Sequence, residues 1–434
     1  MTNRIGIRLE DKNEWERRVA LTPVDVGKVT ARGVPVYVER FARRAYLDND
    51  YFLHGAMLVD DVRPCEIVLG IKEMPIGYFR EGGAYMFFSH TIKGQPYNMK
   101  MLARLVELKC TLFDYEVVTD EKKRRLIFFG RYAGLAGMID TFWALGQRLA
   151  ALGHTSPFLH LEPAHRYDDL EAAKAAVSAV GEIVVREGLP EIMAPAVVGF
   201  TGYGNVSSGA QEIFDLLPHV EVSPDELGRY VAENGGVRDK LAKVVYREEH
   251  LVERTDGEPF DLQHYYAHGE AYRSIFEPHL SLLTVLVNGI YWDEKYPKLA
   301  DADQLQALFA GGRPRLLAVG DITCDVDGSL ACTVRDTEPG DPCYVYDPGT
   351  GEAPSGFEGP GLAVMAVGNL PAELPREASD TFSEALYPFV SDMFKADLSA
   401  PFDTVSLPGP IKRSTILWNG ELTPDFEYMR EYLR

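Results

Sequence analysis

Three polar residues stand where strand-like runs stop. Lys72 follows Ile67-Val68-Leu69-Gly70-Ile71, His90 follows Ala84-Tyr85-Met86-Phe87-Phe88 and Ser89, and Glu116 follows Thr111-Leu112-Phe113-Asp114-Tyr115. Ligands of open α/β sheets gather outside the carboxyl ends of their strands, so these residues could converge on one cleft. Arg17 and Arg18 precede Leu21-Thr22-Pro23, and Lys93 comes shortly after His90. Arg17, Arg18, Lys72 and Lys93 together would form a local positive site, suited to a dicarboxylate and to bidentate contact from arginine. Each is equally well a surface charge or a salt-bridge partner. Positive neighbours and partial burial lower a lysine's pKa, which would let Lys72 or His90 exchange protons near neutral pH.

A second group is the glycine cluster Gly199-Phe200-Thr201-Gly202-Tyr203-Gly204-Asn205-Val206-Ser207-Ser208-Gly209, between the apolar run Ala196-Val197-Val198 and the helically spaced apolar residues of 210–217. Strand, glycine turn and helix in that order let a backbone without side chains approach a pyrophosphate and hold it against the positive end of the helix. Gly199, Gly202, Tyr203, Gly204, Asn205 and Val206 are the candidate cofactor-binding residues. The spacing departs from G-x-G-x-x-G, and an ordinary strand-to-helix turn is the alternative. Glu221 lies about where a ribose-binding acid for NAD is expected, ~20 residues past the turn. Ser223, at the tip of the same strand, would tolerate a 2′-phosphate. Asp321 and Asp325 follow the run ending at Gly320 and either reach the nicotinamide side of the cofactor or cap a turn. As a metal group Asp321, Cys324 and Asp325 are rejected, since no histidine lies near them.

The elements that must position these residues alternate. Strand-like runs at 4–8, 34–39, 67–71, 84–88 and 111–115 are separated by helical patterns such as 24–32 and 99–108, the rhythm of a largely parallel sheet. A long helix over 132–152 bridges to a second domain, 154–169 reads as surface loop, and a helix over 170–187 leads to the glycine turn. Strands at 220–222, 243–246, 283–288 and 316–320 continue a second sheet, and the turn-rich 336–361 reads as a surface excursion. A helix over 379–393 and a tail return to the first domain. The expected fold is α/β, with two Rossmann-like domains of doubly wound, largely parallel sheets and a cleft between them. Residues 1–130 plus 376–434 form the catalytic and substrate domain, and 131–375 the dinucleotide-binding domain.

The chain has 434 residues, 46% hydrophobic and 25% charged, and a formal charge of −21. That charge opposes non-specific binding to nucleic acid and to anionic membrane. No apolar run approaches the ~20 residues of a membrane span, and the first residues lack a signal-peptide layout, so a cytoplasmic protein is expected. Five cysteines, odd in number and without C-x-x-C, read as free thiols.

The opening Gly6-Ile7-Arg8-Leu9-Glu10-Asp11-Lys12-Asn13-Glu14-Trp15-Glu16-Arg17-Arg18 with Leu21-Thr22-Pro23 resembles the start of the lysine-ketoglutarate reductase and saccharopine dehydrogenase (lysine-forming) family. So do Gly70-Ile71-Lys72-Glu73-Met74-Pro75, Phe88-Ser89-His90-Thr91-Ile92-Lys93-Gly94-Gln95, Phe129-Gly130-Arg131-Tyr132-Ala133-Gly134, the glycine turn, and Leu370-Pro371-Ala372-Glu373-Leu374-Pro375-Arg376-Glu377-Ala378-Ser379. These run in family order over nearly the whole chain, and alanine dehydrogenase and the transhydrogenase nucleotide domain are the wider relatives. The resemblance implies reductive condensation of L-lysine with 2-oxoglutarate to saccharopine, or the reverse oxidation, with NADP or NAD and a slight preference for NADPH. It implies Lys72 and His90 as acid-base groups, Arg18 on a substrate carboxylate, and Lys93 and Glu116 lining the same cleft. Gly368 stands where the family commonly has Asp. The alternatives are a related amino-acid or opine dehydrogenase with another amine donor, and an inactive nucleotide-binding paralogue. The chain is expected to act alone or with a separately encoded saccharopine dehydrogenase.

Overall fold

The computed structural model describes residues 3–312 and 314–433. The chain divides into two compact units, Met1–Phe129 with Pro375–Arg434, and Gly130–Leu374. Both are of the Rossmann-like α/β kind expected from the alternating pattern.

The first unit is built on β1 (Ile5–Ile7), β2 (Val36–Glu39), β3 (Met57–Val59), β4 (Ile67–Leu69), β5 (Ala84–Phe87) and β6 (Thr111–Asp114), joined late in the chain by β16 (Thr415–Trp418) and β17 (Glu421–Leu422). Their order is β3-β2-β1-β4-β5-β6-β16-β17. The first six are parallel, and the last two add antiparallel at the β6 edge. Successive side chains of a strand point to opposite faces, so each face carries its own core. Ile5, Ile7, Ile67, Leu69, Met86 and Phe113 pack on one face, and Val68, Tyr85, Phe87 and Leu112 on the other. The first face is covered by the helix Pro23–Thr30 and by Pro375–Met393, whose Phe382, Leu386 and Val390 repeat every four residues and lie buried on it. The strand order reverses between β1 and β4, which makes the mouth between their carboxyl ends the ligand position of such a sheet.

The second unit holds β7 (Ala196–Thr201), β8 (His219–Glu221), β9 (Leu241–Tyr246), β12 (Val285–Asn288), β13 (Ala318–Asp321), β14 (Cys343–Tyr346) and β15 (Leu362–Met365), with β10 (Val252–Arg254) and β11 (Tyr272–Ser274) as a separate hairpin. The main sheet runs β14-β15-β13-β12-β7-β9-β8, all parallel except β14 at one edge. The helix Leu170–Glu187 has the expected bounds, because Asp169 caps it by accepting from the backbone N–H of Ala172 at 2.8 Å.

Three local expectations are corrected. The stretch 154–169 is packed, not superficial: two single 3₁₀ turns fold Phe158, Leu161 and Ala164 into the interior. The excursion 336–361 contains the buried strand β14, whose antiparallel edge position leaves it short and flanked by turns. The helix after the glycine turn begins at Asn205, five residues before the apolar spacing suggested. Gly209 is therefore helical, and it serves packing. A Cβ there would lie 2.1 Å from the carbonyl oxygen of Arg131, and one on Gly134 would lie 1.9 Å from that of Val206. These glycines let the helices Gly130–Ala151 and Asn205–Phe214 touch backbone to backbone.

Candidate functional site

In the first unit, the segments leaving β1, β4 and β5 build one cluster. Glu10, just past β1, accepts from the backbone N–H groups of Ile71 at 2.7 Å and Lys72 at 3.2 Å, fixing the chain where it turns off β4. Burial pushes the Glu10 carboxyl up to about 7, with Arg8 opposing and Glu16 adding to the rise. Lys72 is lowered from the ordinary lysine range, first by burial and then by the like charge of Arg18, with Glu16 and Glu73 pulling the other way. Those are the two causes that bring a lysine towards proton exchange near neutrality.

Arg18 is held by Glu16 in a bidentate pair, Nε to Oε1 at 2.8 Å and Nη2 to Oε2 at 2.6 Å, with the two residues only 3% and 0% exposed. Its guanidinium also lies 4.2 Å over the ring of Phe129, which stacks on Phe382. The backbone N–H of Val19 donates to Ser379 Oγ at 3.0 Å, so the returning helix fixes the loop that carries Arg18.

His90 has a left-handed backbone, φ 49°, a conformation that costs a non-glycine residue of order 1 kcal/mol and must be held by its surroundings. The hold is visible. Asp114, at the end of β6, accepts from the Ser89 backbone N–H at 3.1 Å and from its hydroxyl, Ser89 Oγ meets Thr91 Oγ1 at 2.7 Å, and Asn98 Nδ2 donates to the His90 carbonyl at 3.2 Å. Burial pushes the Asp114 carboxyl up to about 6. His90 Nδ1 meets Glu73 Oε1 at 2.6 Å, and Lys12 Nζ meets Glu73 Oε2 at 3.2 Å. Burial raises the Glu73 carboxyl, but the bond and charge of His90, with Lys12, outweigh it and hold the group at about 2. A carboxylate on Nδ1 orients the imidazole and leaves Nε2 for a reacting group.

The first unit thus joins Lys72, Arg18 and, through Glu73, His90. Arg17 is not brought in: it is exposed, and its Nε donates to the carbonyl of Arg43 at 3.1 Å, because the buried neighbours Glu16 and Arg18 turn the intervening side chain outward. Lys93 is exposed on the turn after His90. Glu116 pairs with Arg125 Nη2 at 2.5 Å. Glu10, Glu16 and Glu73 were not singled out from sequence. The signal was there, since each lies within or beside the motifs that carry Arg18 and Lys72.

In the second unit the glycine turn joins β7 to the helix Asn205–Phe214. Gly202 has φ +82°, and a Cβ on Gly204 would meet nothing within 4 Å. The helix starts at Asn205. Beside the turn is a cavity of about 250 Å³ lined by Gly202, Tyr203, Gly204, Glu248, Tyr265 and Tyr291, among others. Gly199 lies within β7, where Leu283 and Tyr246 close over it. Val206 touches the long helix through Gly134.

Two cofactor expectations are corrected. Asp321 faces inward, its oxygens accepting from Thr333, Thr323, Asn288 and the Cys324 backbone N–H, in a buried network that also ties Thr201 to Asn288. The loss of solvent raises its carboxyl. Ser223 follows β8, which is the outermost strand and is separated from β7 by β9, and its hydroxyl donates to Glu226 at 2.9 Å. The spacing from the turn assumed that the next strand in sequence is the next in space. Here it is not.

A further acidic group lies elsewhere in this unit. Asp140 Oδ1 accepts from the Ala164 backbone N–H at 2.8 Å, and Glu373 Oε2 accepts from that of His165 at 3.2 Å. Asp140 Oδ2 and Glu373 Oε1 are buried without a hydrogen-bond partner, and the charge of Glu373 adds to the cost of ionising Asp140. Burial raises both, Glu373 to about 7. A carboxyl whose folded pKa lies above its unfolded value favours folding at low pH, and that contribution disappears as pH rises through the folded pKa. Asp140→Asn, which removes the buried titrating carboxyl, should therefore flatten the pH dependence of the melting temperature, its advantage over wild type growing from pH 5.5 to 8.5. Parallel melting curves at all pH values would refute the link between the buried Asp140 carboxyl and stability.

Among the described residues no group of three or more His, Cys, Asp and Glu side chains could hold a metal ion, and no helix is long and apolar enough to cross a membrane.

Residues 6–136 match the family model for the alanine dehydrogenase/PNT N-terminal domain. Alpha-aminoadipic semialdehyde synthase of Arabidopsis thaliana is 39% identical over 98% of this chain, which spans 41% of that protein. Saccharopine dehydrogenase [NAD(+), L-lysine-forming] of Neurospora crassa is 28% identical, covering 88% of this chain and 89% of its own. The solved structure of an L-alanine dehydrogenase superposes with TM-score 0.62 at 18% identity, over 99% of this chain and 100% of that one. The resemblance read from the motifs is borne out. The chain spans less than half the length of the alpha-aminoadipic semialdehyde synthases it matches.

Proposed function

We propose that this chain, whose homologues are named alpha-aminoadipic semialdehyde synthase and saccharopine dehydrogenase, is a saccharopine-type oxidoreductase. It condenses L-lysine reductively with 2-oxoglutarate to saccharopine with NAD(P)H, or runs the reverse lysine-forming oxidation. The observation that carries the proposal is the Lys72 cluster at the strand-order reversal of the first unit, where burial and Arg18 lower the lysine while Glu73 fixes His90. Joining an amine to a ketone and losing water require protons to be moved at nitrogen and oxygen. Lys72 Nζ and His90 Nε2 are the atoms we assign to those transfers. Arg18, rigid in its pair with Glu16, supplies positive charge for a substrate carboxylate, and Lys93 and Glu116 belong to the same substrate region.

The glycine turn fits a nicotinamide dinucleotide, whose bound form would supply or accept the hydride. The backbone at Gly202 and Gly204, with the N-terminal end of the helix Asn205–Phe214, would hold the pyrophosphate. We assign NADPH as the preferred coenzyme. The described cysteines are all free thiols, in keeping with a reducing compartment such as the cytoplasm.

The test is NADPH oxidation with lysine and 2-oxoglutarate together, against each alone. Turnover only with both supports the assignment. Turnover with a different amine would make the protein an opine-type dehydrogenase, and coenzyme binding without turnover for any amine and keto acid would make it an inactive relative.

A further inference from the structure

We propose that Arg247 selects the coenzyme by receiving the 2′-phosphate of an NADP-type dinucleotide, an inference that rests on the dinucleotide reading of the glycine turn. In a doubly wound nucleotide-binding sheet the adenosine ribose lies against the carboxyl end of the strand adjoining the glycine-turn strand. In this unit that strand is β9. Thr201 pairs with Tyr246, and the backbone N–H of Gly202 donates to the Tyr246 carbonyl at 2.9 Å, so the first turn residue and the end of β9 are locked side by side. The residue immediately beyond is Arg247.

Arg247 is exposed, and its guanidinium lies 4.7 Å over the ring of Tyr203, the central residue of the turn. Among the described residues that guanidinium makes no ion pair and no hydrogen bond. Its five N–H groups in a rigid fork match phosphate oxygens, and the aromatic face restricts its orientation without using a donor. Of the acids near the turn, Glu248 is half-buried, its Oε1 accepting from the Tyr266 hydroxyl at 2.7 Å and its Oε2 closed off from solvent without a hydrogen-bond partner, and Glu221 sits on β8, one strand further out, 3.7 Å from Lys243 Nζ. A sequence spacing that pointed to Glu221 and Ser223 thus missed Arg247, because the strand crossing to the outer position comes first in the chain.

The experiment is direct titration of the full chain with NADPH and with NADH, and displacement by 2′,5′-ADP and by 5′-AMP, for wild type and Arg247→Ala, beside thermal melts of both. Wild type is expected to bind NADPH and 2′,5′-ADP more tightly than NADH and 5′-AMP. Arg247→Ala should weaken NADPH and 2′,5′-ADP by at least about tenfold, the effect of losing a charge-assisted contact, and leave NADH and 5′-AMP within about twofold. Equal weakening of the paired ligands, or a wild type that favours NADH, overturns the role of Arg247 while the dinucleotide site stands. A wild type that binds neither coenzyme overturns both.

Discussion

Replacing Lys72 by methionine lowers turnover with lysine and 2-oxoglutarate by about 10²-fold or more, the usual size of a positioned acid-base contribution, while the melting temperature and the affinity for NADPH stay close to wild type. The reason is local. Lys72 is fixed through its backbone by Glu10 and shifted by burial and Arg18, so what methionine removes is a proton carrier and not a strand contact. His90→Gln should produce a loss of the same order, since glutamine can replace neither the ring nitrogen left by the Glu73 bond nor its proton exchange. Steady-state rates beside coenzyme titrations check both. Wild-type rates in either variant would remove that residue from the chemistry, and a matching loss of coenzyme affinity would place the effect elsewhere.

Gly209→Val destabilises the second unit strongly, whereas Gly204→Val, five residues earlier, leaves stability intact and weakens the coenzyme. At Gly209 the first added atom would stand 2.1 Å from the backbone oxygen of Arg131, so the helices Gly130–Ala151 and Asn205–Phe214 must separate. Overpacking of that kind costs about 3 kcal/mol or more, which lowers the melting temperature by roughly 10 °C in a unit of this size. At Gly204 the added atom meets no protein, and φ is −77°, so valine is unstrained. It does occupy the approach to the helix N-terminus, and NADPH affinity should fall at least about tenfold. Melts and fluorescence titrations of the two variants separate a packing glycine from a ligand glycine. Equal behaviour of the pair would show that the turn has been misdivided.

Periodic and local features were legible in the residues alone. Buried strands such as Ile67–Leu69 and Ala84–Phe87 are continuous apolar runs, so a polar residue just beyond them is placed at a strand end by the pattern alone, as Lys72 and His90 are. The helix Leu170–Glu187 has the bounds its sequence suggests, and the glycine turn is legible by its position between strand and helix. The family motifs, spread over nearly the whole chain, carried the rest of the functional reading.

Tertiary structure decided which of those residues meet. Arg17 and Arg18 are adjacent and chemically alike, yet only Arg18 is buried against Glu16, because the loop is pinned by Ser379 from a helix more than 350 residues away in sequence. Glu73 became the anchor of His90 through a left-handed turn held by Asp114, a contact between segments that no spacing rule connects. The order β8-β9-β7 puts the end of β9, and not Glu221 on β8 or Ser223 just after it, beside the glycine turn, and burial turned Asp321 from a ligand candidate into the acceptor of an internal network. Each of these outcomes depends on crossovers and packing between distant segments, whose free energy is set by the whole core and leaves no periodic trace in the residues that it brings together.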